Sequence, residues 1–455
     1  VIRASTTRAG PSSPRPWADR SLDVARGAFI AVGVLACVST AATSIAVGVF
    51  VLAWLGSGRA SVLLRATWAR PDMRALALFF AWLLAGIVYG ASSAHDAWQG
   101  FWSWHKLLLV PLAVPLFDDA RWRGRFATVL LWTAALVLVL SAVGALVGWQ
   151  PRVSNPAGVV LQNYAAQSQF LCVALLVAAW RGWIAPRGPV VPPETGAGAP
   201  AAGRWSAALG ALGTARAACI ALSVASVVGI LALPGRSGWI GLMVACVAIA
   251  WRGPAGRRVS PWVAASAAVA VVVLIASALA FEPHARARAT QAWDEWSHAA
   301  DSPYLTSLGI RRVFWTETAA LVAERPIAGA GTGGLRTVYA ERIAERYPAG
   351  DWRAEPAADP HNLYLLIAAE NGVIGLALFA LWIVVTLRVA LRRAPEGFVA
   401  AAALAVWCVT SLANAHFRTF AEGHLLAAVL GVMLAGADRR TRVADASSSN
   451  AQSPA

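Results

Sequence analysis

DPHNLYLLIAAENGVIGLALFALWIVVTL, residues 359–387, opens on a polar lead and runs into an apolar stretch whose one charged residue is Glu370. Asp, Pro, His and Asn before such a run read as the mouth of a helix, and the run itself, near 362–387, reads as a bilayer-spanning helix. The rest of the chain repeats that character. Of its 455 residues 58% are hydrophobic and only 13% charged, and the mean hydropathy is +0.59. A soluble domain carries about 25% charged residues, so that class is excluded and an all-α polytopic membrane protein is implied. Of the 38 Lys and Arg, Lys106 is the sole lysine, and no Gly-rich turn ends in it, so no P-loop is present. The five cysteines (Cys37, Cys172, Cys219, Cys246, Cys408) lie in apolar runs without a CxxC pair and read as small buried hydrophobes.

Working outward from 362–387, further spans are expected near 73–91, 101–117, 125–148, 159–180, 207–233, 237–251, 261–281, 397–414 and 418–436. The apolar run 24–55 has arginines on both flanks, Arg20 and Arg26 before it and Arg59, Arg65, Arg70 and Arg74 after it. The positive-inside rule then demands an even number of crossings, so two short spans are expected to meet near Ser39-Thr40. That makes about twelve transmembrane helices, both termini cytoplasmic. Short outer loops then hold only Arg152, Arg236 and Arg418, while nine arginines fall in a long outer segment, whose translocation charge does not govern. Trp54, Trp102, Trp104, Trp149, Trp180, Trp251 and Trp262 fall at expected span ends, as aromatic belts do. The organisation expected is a disordered cytoplasmic tail over 1–23, transmembrane helices 1–9 over 24–281, and a periplasmic helical segment over 282–360. Transmembrane helices 10–12 follow over 361–437, and a cytoplasmic tail over 438–455.

The longest cytoplasmic loop, 181–205, is a Pro/Gly/Ala linker without chemistry, whereas a loop as long as 282–360 is usually functional or folded. Helices are expected near 284–300, 306–324 and 335–347, with the glycine-rich IAGAGTGG (327–334) letting backbone approach closely. Asp359 is the expected N-cap, Pro360 the N1 residue, and His361 a first-turn residue in the positive field of the helix end. That field attracts an anion and favours a neutral imidazole, the form a general base needs; a plain interfacial histidine is the other reading. Glu370, nine residues on, lies about 13 Å along the helix and is no direct orienter. In Arg311-Arg312 successive helical residues diverge, so Arg311, sharing a face with Trp315 and Ala319, is expected inward and Arg312 outward. LPGRSGWIG (233–241) puts Arg236 alone in a tight outer turn, either as a snorkelling cation or as part of a donor-rich corner suited to phosphate. Lys106 and Arg418 are secondary basic candidates at the outer face, with headgroup anchoring as the plainer role.

Taken in order, GRSGW, then R-R-x-x-x-W-x-x-x-x-x-L-x-x-E-R-P-I-x-G-x-G, then PHNLYLLIAAENGVIG resemble the O-antigen ligase/polymerase superfamily of bacterial inner-membrane glycan transferases. The resemblance implies a GT-C-like membrane fold. It implies an inverting transferase, independent of metal and cofactor, working on the periplasmic side. The donor it implies is O-antigen on undecaprenyl diphosphate, with membrane lipids around it and no nucleic-acid partner. His361 would be the base, Arg311 and Arg236 the catalytic arginines on the diphosphate, and Arg312, Lys106 and Arg418 headgroup or diphosphate contacts. Polymerases of the superfamily often carry Gly eleven residues after an outer-loop Arg; here Val247 and Val322 stand at those distances from Arg236 and Arg311. Protein O-glycan ligases usually extend into a further C-terminal domain, where this chain ends in a polar tail. Lipid A-core is therefore the expected acceptor. A lipid-linked-oligosaccharide transporter is the alternative of another class, although transporters place ionisable groups at the bilayer midplane.

Overall fold

The computed structural model describes residues 16–184, 201–252, 307–392 and 395–436, with single positions at 287, 290, 293, 294 and 297. The expected span 261–281, nearly all of the helix at 284–300, the C-terminal tail, the first fifteen residues and most of the 181–205 linker lie outside the described residues. Among the described residues every regular element is helical.

The first helix, α1 (Pro16–Leu35), begins inside the stretch expected as a tail. Proline suits a first helical turn because its missing N–H has no partner there anyway. α2 (Thr40–Gly56) starts where the hairpin was expected: Ser39 caps it, its side chain accepting from the Ala42 amide. Carbonyls at the end of α1 are covered by side chains and backbone of residues 152–162. Gln162 donates to Ala36 and Cys37, and the Arg152 guanidinium donates to the Val38 carbonyl. α3 (Ala60–Trp68) turns away from α2 by 103°.

α4 (Pro71–Tyr89) is followed by α5 (Ala94–Trp102). The span expected at 101–117 is a chain of short pieces: a 3₁₀ turn at His105–Leu108, α6 (Leu109–Ala113) and a second 3₁₀ turn at Val114–Leu116. Pro111 and Pro115 remove amide donors from that stretch and prevent one continuous helix. α7 (Ala120–Val147), α8 (Tyr164–Ala179), α9 (Ala201–Ala232) and α10 (Arg236–Arg252) follow. Beyond the undescribed region come α11 (Ser307–Glu324), α12 (Leu335–Arg346), α13 (Leu363–Arg392), α14 (Gly397–Thr410) and α15 (Phe420–Met433).

Among the described residues four helical stretches are long and apolar enough to cross a bilayer: α4, α7, Gly213–Ala232 of α9, and α13; α2 with α3 makes a bent fifth. Other apolar helices, such as α10, α14 and α15, are shorter. The chain is thus a helical membrane protein, and among the described residues such helices number fewer than the twelve spans expected.

α13 is broken, with Gly372 at φ 64 and ψ −167. The break strands main-chain groups in an apolar setting, where each unpaired group is costly. The IAGAGTGG loop supplies the partners. Ala330 and Gly331 amides donate to the Ala369 and Glu370 carbonyls, and the Val373 and Ile374 amides donate to Pro326 and Ile327. The Trp82 indole donates to the Asn371 carbonyl. Close backbone approach is obligatory here, because a Cβ on Gly331 would overlap Gly90 and one on Gly372 would overlap Ile327. The IAGAGTGG loop, which joins α11 to α12, is therefore stitched into a membrane helix at its break.

Candidate active site

The polar lead to α13 is built differently from the expected cap. Asn362, not Asp359, caps the helix, its side chain accepting from the Tyr364 and Leu365 amides. Asp359 accepts instead from the His361 amide at 2.8 Å, and that turn holds His361 at φ 55. His361 is the sole non-glycine with positive φ among the described residues. The left-handed region costs a non-glycine residue on the order of 1 kcal/mol, so the surrounding contacts must enforce it. They are visible. Trp315 of α11 donates to the Pro360 carbonyl at 2.9 Å, and the Phe314 ring lies nearly parallel to the imidazole with centroids 6.3 Å apart. The Leu363 amide donates to Ser411 and Asn414 carbonyls, tying this lead to the α14–α15 loop.

Beside His361 lies a cavity of about 620 Å³, and Arg311, Trp315, Pro234, Gly235 and Ser237 share its walls. α11 thus delivers Arg311 on the same face as Trp315, while the Arg312 guanidinium reaches the Ser297 carbonyl. The LPGRSGWIG corner enters as the α9–α10 turn. Gly235 packs against the Tyr164 ring so closely that a Cβ would collide with it. Arg236 opens α10, between two residues that line the cavity.

The roof that carries Arg311 is anchored by a buried carboxylate. Glu317 accepts from Arg342 Nε at 2.8 Å and from the Tyr347 hydroxyl at 3.0 Å, with Arg346 Nε at 3.3 Å. Arg342 also donates to Glu324. These bonds join α11 to α12 one helical turn and more from Arg311.

Lys106 and Arg418 are placed elsewhere. Neither is among the cavity's lining residues; both turn into the protein. The Lys106 ammonium is buried and donates to the Arg418 carbonyl at 2.6 Å. Arg418 Nε donates to Ser103 Oγ, its Nη1 lies 3.7 Å from Glu370 Oε2, and its guanidinium sits over the Trp104 ring. This buried cluster explains why Glu370 can stand in a membrane helix.

Burial pushes the His361 imidazole below its ordinary value; the Asp359 charge opposes that shift and the Arg311 charge adds to it. The lowered value favours a neutral imidazole at neutral pH, and desolvation is its largest cause. Sequence reasoning missed Asn163, Asn414, His416 and Glu422, which line the same cavity. NAHFRTFAEGH (414–424) did hold a signal, with His416 and Glu422 among its polar residues beside Arg418, but only folding shows which of them face the site. Among the described residues no three His, Cys, Asp or Glu side chains converge as a metal would require.

Residues 221–380 match the Wzy_C family model, described as O-antigen ligase. No curated protein matches. Among solved structures, a chain from "Structural coordination of polymerization and crosslinking by a peptidoglycan synthase complex" is similar at 18% identity, covering 80% of this chain and 95% of that chain with a TM-score of 0.40. The segment that carries the α9–α10 corner, Arg311 and His361 is thus the segment similar to the O-antigen ligase (Wzy_C) family.

Proposed function

We propose that this protein is an inverting glycan transferase that moves O-antigen from undecaprenyl diphosphate to a hydroxyl of lipid A-core at the periplasmic face of the bacterial inner membrane. The observation that carries the reading is the single cavity shared by a neutral, half-buried histidine, an inward arginine and the α9–α10 corner. A Wzy_C match over those same residues supports it, since members of that family transfer lipid-linked polysaccharide.

The chemistry follows from the parts. His361 takes the proton of the acceptor hydroxyl as its oxygen attacks the anomeric carbon from the face away from the diphosphate. The C–O bond to diphosphate breaks, and Arg311, with Arg236 at the neighbouring corner, holds the charge that develops on the leaving group. A guanidinium fork matches phosphate oxygens in pairs, which a lysine ammonium cannot do. Losing one such contact in the transition state costs about 3 kcal/mol, roughly a hundredfold in rate.

Purified protein is incubated with undecaprenyl-diphosphate-linked O-antigen and lipid A-core, in EDTA and without nucleotide, and the products are resolved on a gel. A core-linked ladder is expected. Longer chains still on undecaprenyl would make the protein a polymerase, and no transfer at all would favour transport.

A further inference from the structure

Among the polar side chains that line the cavity without a part in the chemistry above, four come from the α14–α15 loop and the start of α15: Asn414, His416, Thr419 and Glu422. Two of them are unusual. His416 is 1% exposed and Glu422 4%, so both are nearly withdrawn from water, yet they do not satisfy each other. His416 Nδ1 stands 3.8 Å from Glu422 Oε1, too far for a hydrogen bond, and among the described residues Nδ1 has no other hydrogen-bond partner. The second ring nitrogen lies 3.4 Å from the Asn414 side-chain amide. Native proteins rarely leave such an atom unmatched, because desolvation without a partner costs on the order of 1–3 kcal/mol.

The unmet donor and the carboxylate 3.8 Å from it match the chemistry of a hydroxyl. An ionised carboxylate only accepts, whereas an imidazole N–H donates. One hydroxyl oxygen placed about 2.8 Å from each can donate to Glu422 and accept from His416 Nδ1. The sign of the charges separates the two ends of the cavity: Arg311 draws an anion to its part, and a carboxylate at Glu422 repels one, so the partner of Glu422 is an uncharged hydroxyl and not the diphosphate. The α14–α15 loop is also bonded directly to the His361 lead through Leu363, which keeps this corner in register with the base.

We propose that His416 and Glu422 form the acceptor-side clamp of the cavity, gripping a hydroxyl of the acceptor sugar and excluding phosphate or carboxylate from that position. The proposal rests on the transferase reading above. The clamp acts through positioning: it holds a hydroxyl-rich, uncharged part of the acceptor so that a neighbouring hydroxyl meets His361.

Initial rates of wild type, Glu422→Gln, Glu422→Asp and His416→Gln decide the matter, with lipid A-core varied at saturating undecaprenyl-diphosphate O-antigen and then the reverse. Glu422→Gln is expected to raise the acceptor KM on the order of tenfold and to leave the donor KM within about twofold, with Glu422→Asp intermediate. His416→Gln is expected to shift the same constant in the same direction. A change in donor KM, a fall in kcat with both KM values unchanged, or no change at all would overturn the clamp; the last would mean that only water occupies the gap. Thermal unfolding of each variant identifies any that fail to fold, and the Asp variant then carries the comparison. Wild type that transfers nothing would sink the transferase reading itself, and the clamp would fall with it.

Discussion

His361 shows how one backbone angle can matter as much as a side chain. Its left-handed conformation, set by the Asp359 turn and the Trp315 bond to Pro360, aims the imidazole at the cavity beside Arg311. Asparagine tolerates that region better than alanine, so His361→Asn is expected to fold as wild type and to lack transfer, read on the same gel. Full activity in that variant would remove the base assignment. The pH profile carries the sign of the environment. Because burial lowers the imidazole, transfer is expected to hold as pH falls through about 6.5 and to decline only below it. Asp359 raises that pKa, and an asparagine there can still accept from the His361 amide. Asp359→Asn is therefore expected to move the acid limb to lower pH, measured as kcat/KM against pH. Arg311→Lys is expected to lose about a hundredfold in rate, because a point charge does not reproduce the bidentate fork.

At the scale of elements, the broken α13 and the IAGAGTGG loop act as one unit. Four main-chain bonds join residues 326–331 to α13, and several glycines, Gly329, Gly331 and Gly372 among them, stand where a Cβ has no room. Gly331→Ala combines a disfavoured φ of 88 with that overlap and is expected to destabilise by about 3 kcal/mol or more, read as a lower unfolding temperature in detergent. The glycine run was legible in the sequence as a place of close approach. The break at Gly372 was not, since a single glycine in an apolar helix carries no signal of its own until its partner loop is in place. Glu317 is a comparable case. It sits in a charged, amphipathic stretch, and only the packing of α11 on α12 shows that it is buried beneath Arg342. Glu317→Ala is expected to cost on the order of 2–3 kcal/mol and to weaken donor binding as Arg311 loses its support, measured by thermal unfolding and donor KM.

For the whole molecule, topology is the open physical claim. A cysteine placed at Gly350, exposed in the roof, is expected to react with a membrane-impermeant maleimide on intact cells. One placed at Arg121, exposed at the start of α7, is expected to react only after lysis. Labelling in the reverse sense would invert the orientation drawn from the arginines. Composition alone settled that the chain is a helical membrane protein, because so few charges over so many apolar residues cannot be hydrated in one soluble core. The ordered motifs settled which residues to examine, since capping, periodicity and charge are local properties written along the chain. Tertiary structure alone decided that Asn362 and not Asp359 caps α13, that Lys106 and Arg418 turn inward, and that His416 and Glu422 meet the cavity. Those outcomes depend on which surfaces pack, and packing sums contacts between residues far apart in sequence that no local pattern records.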